Sequence, residues 1–368
     1  MKVLVTGSNG FIGKNLISHL QEIENMEIIK FDKDDVFEDV IENRIDSIDF
    51  IFHLAGVNRP QSVEEFYSGN SDLTKRIVDL IKDKDIPLVI TSSIQASLDN
   101  DYGKSKKIAE EYIIANLKKY YIYRLHNVFG KWSRPNYNSV VATFCYNISH
   151  DLDITINDPN KTLDLIYIDD IVKEFISVMN GNSPDEKNED YCYINPRYNV
   201  TLDYIAKKLY EFKDSMSSIY VPNTGNDFVK KLYSTYISYL ELEQTVIGAT
   251  KNVDERGAFV ELLRTKECGQ FSISYSKQGI VRGNHYHHTK LERFIVIKGK
   301  AKISFSSVVN DDKYSFVVDE SDIKIVTIPV GYTHNIENIG DSEMILAIWC
   351  NELFDKENPD TFFRKVVE

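Results

Sequence analysis

The sequence predicts an α/β doubly wound parallel sheet followed by a separate all-β unit. Three observations carry this. From Lys2 to about residue 212, short apolar runs alternate with longer helical patterns. Past about residue 243 the texture changes to short strands separated by Gly, Asn and Asp turns. A chain of 368 residues is also too long for one ordinary core.

In the first part the strands read "KVLVTG", "EIIKFD", "DFIFHLAG", "IPLVITSS" and "YYIYRLHNVFG". Their apolar residues run together rather than alternate, as strands covered on both faces require. "NGNSPDEKNED", Asn180 to Asp190, is polar and reads as an exposed loop. "FVKKLYSTYISYLELEQT" closes this part as helix, and the division falls between residues 1–243 and 244–368. The second part reads "GAFVELLRT", "GQFSISYSK", "ERFIVIKGKAKISFSS", "DIKIVTIP" and "EMILAIWC", a β-sandwich or barrel.

Composition excludes several roles. The chain carries 56 acidic against 43 basic residues, a formal charge of −13, which gives no broad basic surface for nucleic acid. No window approaches the roughly 20 apolar residues of a membrane span, and "MKVLVTGSNG" reads as a strand and turn rather than a signal peptide, so a cytoplasmic location is expected. Cys145, Cys192, Cys268 and Cys350 form no CxxC pair and read as reduced thiols.

"VTGSNGFIG" places Gly7, Gly10 and Gly13 between a strand and a helical pattern, the context in which backbone N–H groups at a helix start meet a pyrophosphate. The second strand ends in Asp32, whose carboxylate suits the adenosine ribose hydroxyls of NAD(H); Lys33 beside it suits the 2′-phosphate of NADP(H). Tyr102 and Lys106 lie four apart on a helical stretch and face one way, and a cation beside a phenol is expected to lower its pKa. Ser93, with Ser92 as the alternative, ends an apolar strand where it can hold a carbonyl oxygen. His53 and His126 read as satisfied histidines near strand ends, and Arg59 and Arg134 as loop arginines able to meet a diphosphate or solvent.

These motifs, with "HLAG" at His53 to Gly56, "RLHNVFG" and "DLIYIDDIV", resemble the extended short-chain dehydrogenase/reductase family over residues 1 to about 240. The resemblance implies a Rossmann-like fold and action on a nucleotide-linked sugar. It implies Tyr102 as proton donor, Lys106 on the nicotinamide ribose and Ser93 on the carbonyl. It also implies cofactor contacts at Gly7, Asn9, Gly10, Phe11, Ile12, Gly13, Asp32, Lys33, Leu54 and Ala55, and a substrate contact at Asn127.

In "RGNHYHHTKLERFIVIKG", His285 and His287 share a strand face and His288 points the other way; Glu292 follows, and His334 comes after a Pro329–Gly331 turn. Three imidazoles and a carboxylate suit zinc, nickel, iron or manganese. The spacing HxHx4Ex6G, with Pro329, Gly331, His334 and Asn338 in the second motif, resembles the cupin superfamily, which implies a jelly-roll barrel with His285, His287, Glu292 and His334 as metal ligands. "DERGAFVE" and "SKQGIVRGNHYH" are also similar to nucleotide-linked 4-keto-sugar 3,5-epimerases. There Arg282 would hold the nucleotide phosphates and His285 would be the base, in conflict with a ligand role. His288, Tyr275, Tyr332 and Lys298 are then further candidates for acid and base.

The complete order, reductase first and metal cupin second, resembles bifunctional capsular polysaccharide enzymes. That likeness implies a UDP-linked 4-keto-6-deoxy sugar, NADPH over NADH, Zn2+ and a homodimer. The expected function is C3 epimerisation in the cupin and C4 reduction in the first domain. A reductase whose cupin only dimerises or binds sugar is the second reading, and a dehydrogenase fused to a metal-dependent oxygenase the third.

Overall fold

The computed structural model describes residues 1–310 and 312–367. It divides into two compact units, one of Met1–Tyr210 with Asp227–Leu240, the other of Glu211–Asn226 with Glu241–Glu368. The linear division expected at residue 243 is thus interrupted. The 211–226 segment joins the second unit because Val221 N donates to Arg264 O and Arg264 N to Ile219 O, each at 2.7 Å.

The first unit contains β1 (Lys2–Thr6), β2 (Glu27–Phe31), β3 (Phe50–His53), β4 (Leu88–Ser93), β5 (Tyr120–Leu125), β6 (Asn127–Phe129), β7 (Thr162–Tyr167), β8 (Glu186–Asn188), β9 (Tyr191–Tyr193) and β10 (Tyr198–Thr201). Helices in chain order are α1 (Phe11–Leu20), α2 (Phe37–Val40), α3 (Glu64–Phe66), α4 (Leu73–Ile81), α5 (Asp101–Asn116), α6 (Val140–Ser149), α7 (Ile168–Met179), α8 (Leu202–Ser215, whose end from Glu211 on belongs to the second unit) and α9 (Asp227–Ile237). The main sheet runs β2-β1-β3-β4-β5-β9-β8, parallel except for the last pair. The segment expected to be wholly loop therefore contributes β8, which pairs with β9 at the sheet edge.

Alternate residues of β1 enter two different cores. Val3 and Val5 pack with Leu16, Ile17 and Phe175 on one face, and Leu4 packs with Ile77, Ile81 and Ile113 on the other. Both faces are thus covered by helices, which is why the strand reads as a continuous apolar run. Strand order reverses beside β1, and the glycine-rich turn sits there, at the carboxyl ends of the strands where open α/β sheets bind ligands.

The second unit's strands pair antiparallel, apart from an isolated parallel bridge between Tyr220 and Arg264. Its strands are β11 (Lys251–Asp254), β12 (Gly257–Thr265), β13 (Gly269–Ser276), β14 (Val281–Tyr286), β15 (Glu292–Lys298), β16 (Lys300–Ser307), β17 (Lys313–Asp319), β18 (Ile325–Ile328), β19 (Tyr332–Asn338), β20 (Met344–Cys350) and β21 (Phe362–Phe363). They form one sheet in the order β11-β12-β13-β20-β15-β18 and another in the order β17-β16-β19-β14-β21. Phe294, Val296 and Leu346 from the first sheet share a core with Ile303, Phe305 and Ile336 from the second, so the sheets pack face to face. Among the described residues no helix is long and apolar enough to cross a membrane.

Asn338 fastens one end of this double sheet. Fully buried, it donates to Ser276 O (2.9 Å) and Ser342 O (2.8 Å) and accepts from Gly340 N (3.0 Å). Asn338→Ala strands three backbone groups and is expected to cost roughly 2–4 kcal/mol. The measurement is an earlier denaturant midpoint in the Trp349 fluorescence; an unchanged midpoint contradicts the assignment.

Candidate functional site

A cavity of about 1340 Å3 runs along the carboxyl edge of the parallel strands, lined by Gly7 to Gly13, Leu54, Ser93, Tyr102, Lys106 and Asn127 among others. Its glycine-rich wall is built by close backbone approach. Gly7 has φ +67°, and a Cβ there would lie 2.8 Å from Ala55 N; at Gly13 a Cβ would run into the Gly7 carbonyl. Gly10 caps α1 without a side-chain hydrogen bond, and the first turn holds no acidic residue, so the N–H groups stay available to an anion. Asn9, Phe11 and Ile12 line the cavity with them, whereas Asp32 and Lys33 do not. The Asp32 carboxylate instead turns back on the chain, accepting from Asn9 N (2.7 Å) and Lys33 N (2.9 Å).

Ser93, Tyr102 and Lys106 all reach the same cavity. Asn100 starts α5 by accepting from Gly103 N at 2.8 Å, which sets Tyr102 and Lys106 in the first two turns. Burial raises the Tyr102 phenol above its ordinary value, and a hydrogen bond with Ser93 partly offsets this. The expected lowering by Lys106 is therefore not what this geometry gives, because the Lys106 amine donates to Thr91 O at 3.2 Å. Burial, partly offset by Glu110, lowers that amine to about 8. Ser92 is committed elsewhere: its hydroxyl donates at 2.5 Å to buried Glu110, which also pairs with Arg124 at 2.6 Å.

Asn70 was not legible in the sequence. It is buried in a π-helical turn, Tyr67–Asp72, accepting from Val57 N (2.9 Å) and donating to Val57 O (3.1 Å) and Ser105 Oγ (3.0 Å). It thereby ties the loop after β3 to α5 beside Lys106. His53 is buried between Thr6 Oγ1 (2.7 Å) and Thr74 Oγ1 (2.8 Å), with burial and then Lys106 lowering it to about 3. A side chain so enclosed and neutral is structural. His126 lines the cavity, and its Nδ1 has no hydrogen-bond partner among the described residues.

In the second unit, His285, His287, Glu292 and His334 offer ligand atoms that all lie within 4.8 Å of one another. β14 supplies His285 and β19 His334 from one sheet, His287 follows directly after β14, and β15 brings the carboxylate from the other sheet, so the cluster lies between the sheets. His287 Nε2 and both His334 ring nitrogens are buried without hydrogen-bond partners among the described residues. Orphaned imidazole nitrogens around one carboxylate are what a divalent cation satisfies, so the donor set fits a metal. Glu292 Oε2 faces those rings at 3.5 and 3.2 Å, and Lys290 Nζ stands 3.3 Å from Oε1. Burial pushes Glu292 up, but the imidazoles of His287 and His334 and the Lys290 ammonium outweigh it and hold it well below the usual carboxylate range. Burial, then His334, lowers His285 to about 4.

Two features here were missed by alternation and motif spacing. A β-bulge interrupts β14, with Asn284 in left-handed conformation at φ 61°. Arg282 then pairs with Ile336 and His285 with His334, so Arg282 and His285 project to the same face although strict alternation would separate them. Arg282 donates to Ser276 Oγ (2.9 Å) and Tyr275 O (3.1 Å). The second feature is Asp360, whose carbonyl meets His287 Nδ1 at 2.5 Å. Its carboxylate accepts from His288 N (2.9 Å), Thr289 N (2.6 Å) and Lys290 N (2.8 Å). His288 is exposed against Phe362 (ring centroids 4.8 Å apart), and Lys298 is exposed at a strand end.

Residues 3–193 match the NAD dependent epimerase/dehydratase family, and residues 252–362 the polysaccharide biosynthesis C-terminal domain. A Pseudomonas aeruginosa protein named UDP-2-acetamido-2,6-beta-L-arabino-hexul-4-ose reductase is 44% identical over 374 residues, spanning all of both chains. The crystal structure of the capsular polysaccharide assembling protein CapF from Staphylococcus aureus covers all of both chains at 42% identity with a TM-score of 0.90. A CapF structure with the inhibitor 3-isopropenyl-tropolone matches over the same extent at 38% identity and TM-score 0.85. The chain belongs to the NAD dependent epimerase/dehydratase family, in the two-unit form that the CapF structures represent.

Proposed function

We propose that the chain is a bifunctional nucleotide-sugar enzyme. In this reading the second unit, a cupin, epimerises a UDP-2-acetamido-2,6-dideoxy-4-keto-hexose at C3. The first unit then reduces the C4 ketone to a UDP-N-acetyl-6-deoxy-L-talosamine-type product. The observation that carries it is the pairing, on one chain, of the Ser93–Tyr102–Lys106 set with the His285, His287, Glu292 and His334 cluster. The name of the P. aeruginosa relative, a reductase of a 4-keto sugar, supports the substrate class.

One ketone serves both steps. It accepts hydride at C4 and acidifies the hydrogen at C3. In the first unit, bound nicotinamide supplies the hydride. Ser93 orients the carbonyl, Tyr102 delivers the proton to the oxygen, and Lys106 holds the ribose and shuttles charge next to the phenol. NADPH is favoured over NADH in this reading: the Asp32 carboxylate is engaged by Asn9 N, and the neighbouring Lys33 is an exposed cation that suits a 2′-phosphate. In the second unit His285, His287, Glu292 and His334 would hold a divalent metal, for which Zn2+ suits the donor set, and the metal would supply Lewis-acid pull on the substrate oxygen. Tropolones chelate divalent cations through adjacent oxygens, so the inhibitor bound in that CapF structure accords with such a centre. Arg282 takes the nucleotide phosphates, and the working form is a homodimer.

The decisive experiment incubates the UDP-4-keto sugar in D2O with Tyr102→Phe protein and no nicotinamide. Deuterium is expected at C3. No incorporation at any protein concentration sinks epimerisation and leaves a reductase whose cupin is a binding or dimerising module.

Asp360 should position the metal ligands. Asp360→Ala is expected to weaken Zn2+ about 10- to 100-fold in chelator competition, with Asp360→Asn losing less. Equal affinity in all three proteins contradicts this.

Lys106 should trade stability for function. Burial brings its folded pKa to about 8, below the ordinary 10.5 of a lysine, so the folded state holds a disfavoured cation below pH 8, and the penalty fades as pH rises toward 10.5. The shift corresponds to something on the order of 3 kcal/mol. Lys106→Met is expected to unfold later than the parent at pH 7, to lose the rise in stability above pH 8, and to reduce the ketone at least ~100-fold more slowly. A destabilised variant at pH 7 refutes the assignment.

A further inference from the structure

Three arginines of the first unit, Arg44, Arg59 and Arg134, have no carboxylate partner among the described residues, and the last two converge on one ring. The guanidinium carbon of Arg59 lies 5.5 Å, and that of Arg134 5.2 Å, from the centroid of Tyr137. Elsewhere Arg76, Arg124, Arg197 and Arg264 each hold a carboxylate. In a chain with 56 acidic residues, two cations gathered without a counter-charge mark a place where an anion is to come from outside.

Their surroundings define which anion. Arg134 and Tyr137 line the large cavity together with Asn127 and Tyr102, and Arg59 directly follows Asn58, which lines it too. At about 1340 Å3 the cavity exceeds the roughly 300–1,000 Å3 typical of one small ligand, so a second ligand fits beside the dinucleotide. The cofactor's pyrophosphate already has a receptor in the uncapped start of α1. A guanidinium lying over a phenol keeps N–H donors free at its edge, and two such groups match the paired oxygens of a diphosphate. The loop between β6 and α6 that carries Arg134 and Tyr137 also holds Trp132 (φ 68°) and Asn136 (φ 53°) in left-handed conformation, a shape that its packing must maintain.

We propose that Arg59 and Arg134, held on Tyr137, form a diphosphate clamp for the nucleotide sugar in the first unit. The proposal rests on the nucleotide-sugar reading above. It implies that each chain has two separate nucleotide anchors, this one and Arg282. The epimerised sugar must then release its nucleotide from one anchor before the other takes it.

UDP is the probe, and NADPH at saturation keeps the cofactor pocket filled. The chain has two tryptophans, Trp132 and Trp349, so Trp349→Phe leaves Trp132, beside Arg134, as the reporter of this cavity. UDP is expected to shift Trp132 emission, and calorimetry on the intact chain to give two UDP per chain. Arg59→Gln/Arg134→Gln should weaken the Trp132-reported site at least tenfold and leave NADPH affinity and the second UDP site intact, whereas Arg282→Gln should do the reverse. One UDP per chain that only Arg282→Gln weakens overturns the clamp, as does unchanged UDP affinity in the double variant. Loss of NADPH affinity instead of UDP affinity overturns it too, by assigning the arginines to the cofactor. If the parent protein binds no UDP at either unit, the nucleotide-sugar reading itself fails, a result distinct from failure of the clamp.

Discussion

A charge taken out of water has to be compensated where it lies, and both candidate sites are organised by that requirement. In the first unit the buried cation is Lys106, held by a backbone carbonyl of β4 and by the field of Glu110. Glu110 in turn is balanced by Arg124 and Ser92. In the second unit the buried anion is Glu292, with imidazoles facing one oxygen and Lys290 beside the other. Each arrangement fixes one reactive atom while spending its neighbours' hydrogen-bonding capacity. A neighbouring hydroxyl such as that of Ser92 is thereby unavailable for substrate.

The backbone supplies what charge alone does not. A turn that only glycine can build brings α1's free N–H groups against the loop after β3. A bulge at Asn284 turns Arg282 to the side of His285. A π-helical turn places Asn70 between that same loop and α5. All three are departures from regular structure, and all three lie next to groups with proposed chemistry.

Much of this was legible because it rests on period and spacing. The parallel sheet follows from apolar runs separated by helical patterns, and the closeness of His285 and His287 from an HxH pair whose two-residue period puts both rings on one face. What was illegible depends on tertiary contact. Asn70 has no spacing signature, since a π turn is one extra residue in an otherwise ordinary helix. Asp360 sits in "ENPD", which reads as a surface turn until β21 is seen paired with β14. The Tyr102 pKa was misjudged because sequence proximity to Lys106 does not reveal that the amine points at Thr91. The excursion of residues 211–226 into the second unit rests on a backbone pairing with Arg264 that no composition shift announces.

The link between Asp360 and the loop at His287 spans 73 residues of sequence. A ribosome makes the first unit's strands and the glycine-rich turn long before it makes residue 360. The dinucleotide cavity can therefore be complete while the histidine cluster still lacks the carbonyl that orients one of its rings. Chains arrested or clipped between these points would retain the glycine-rich cavity and lose the contact that orients His287. In vectorial synthesis, ordering of the histidine cluster is thus among the last events.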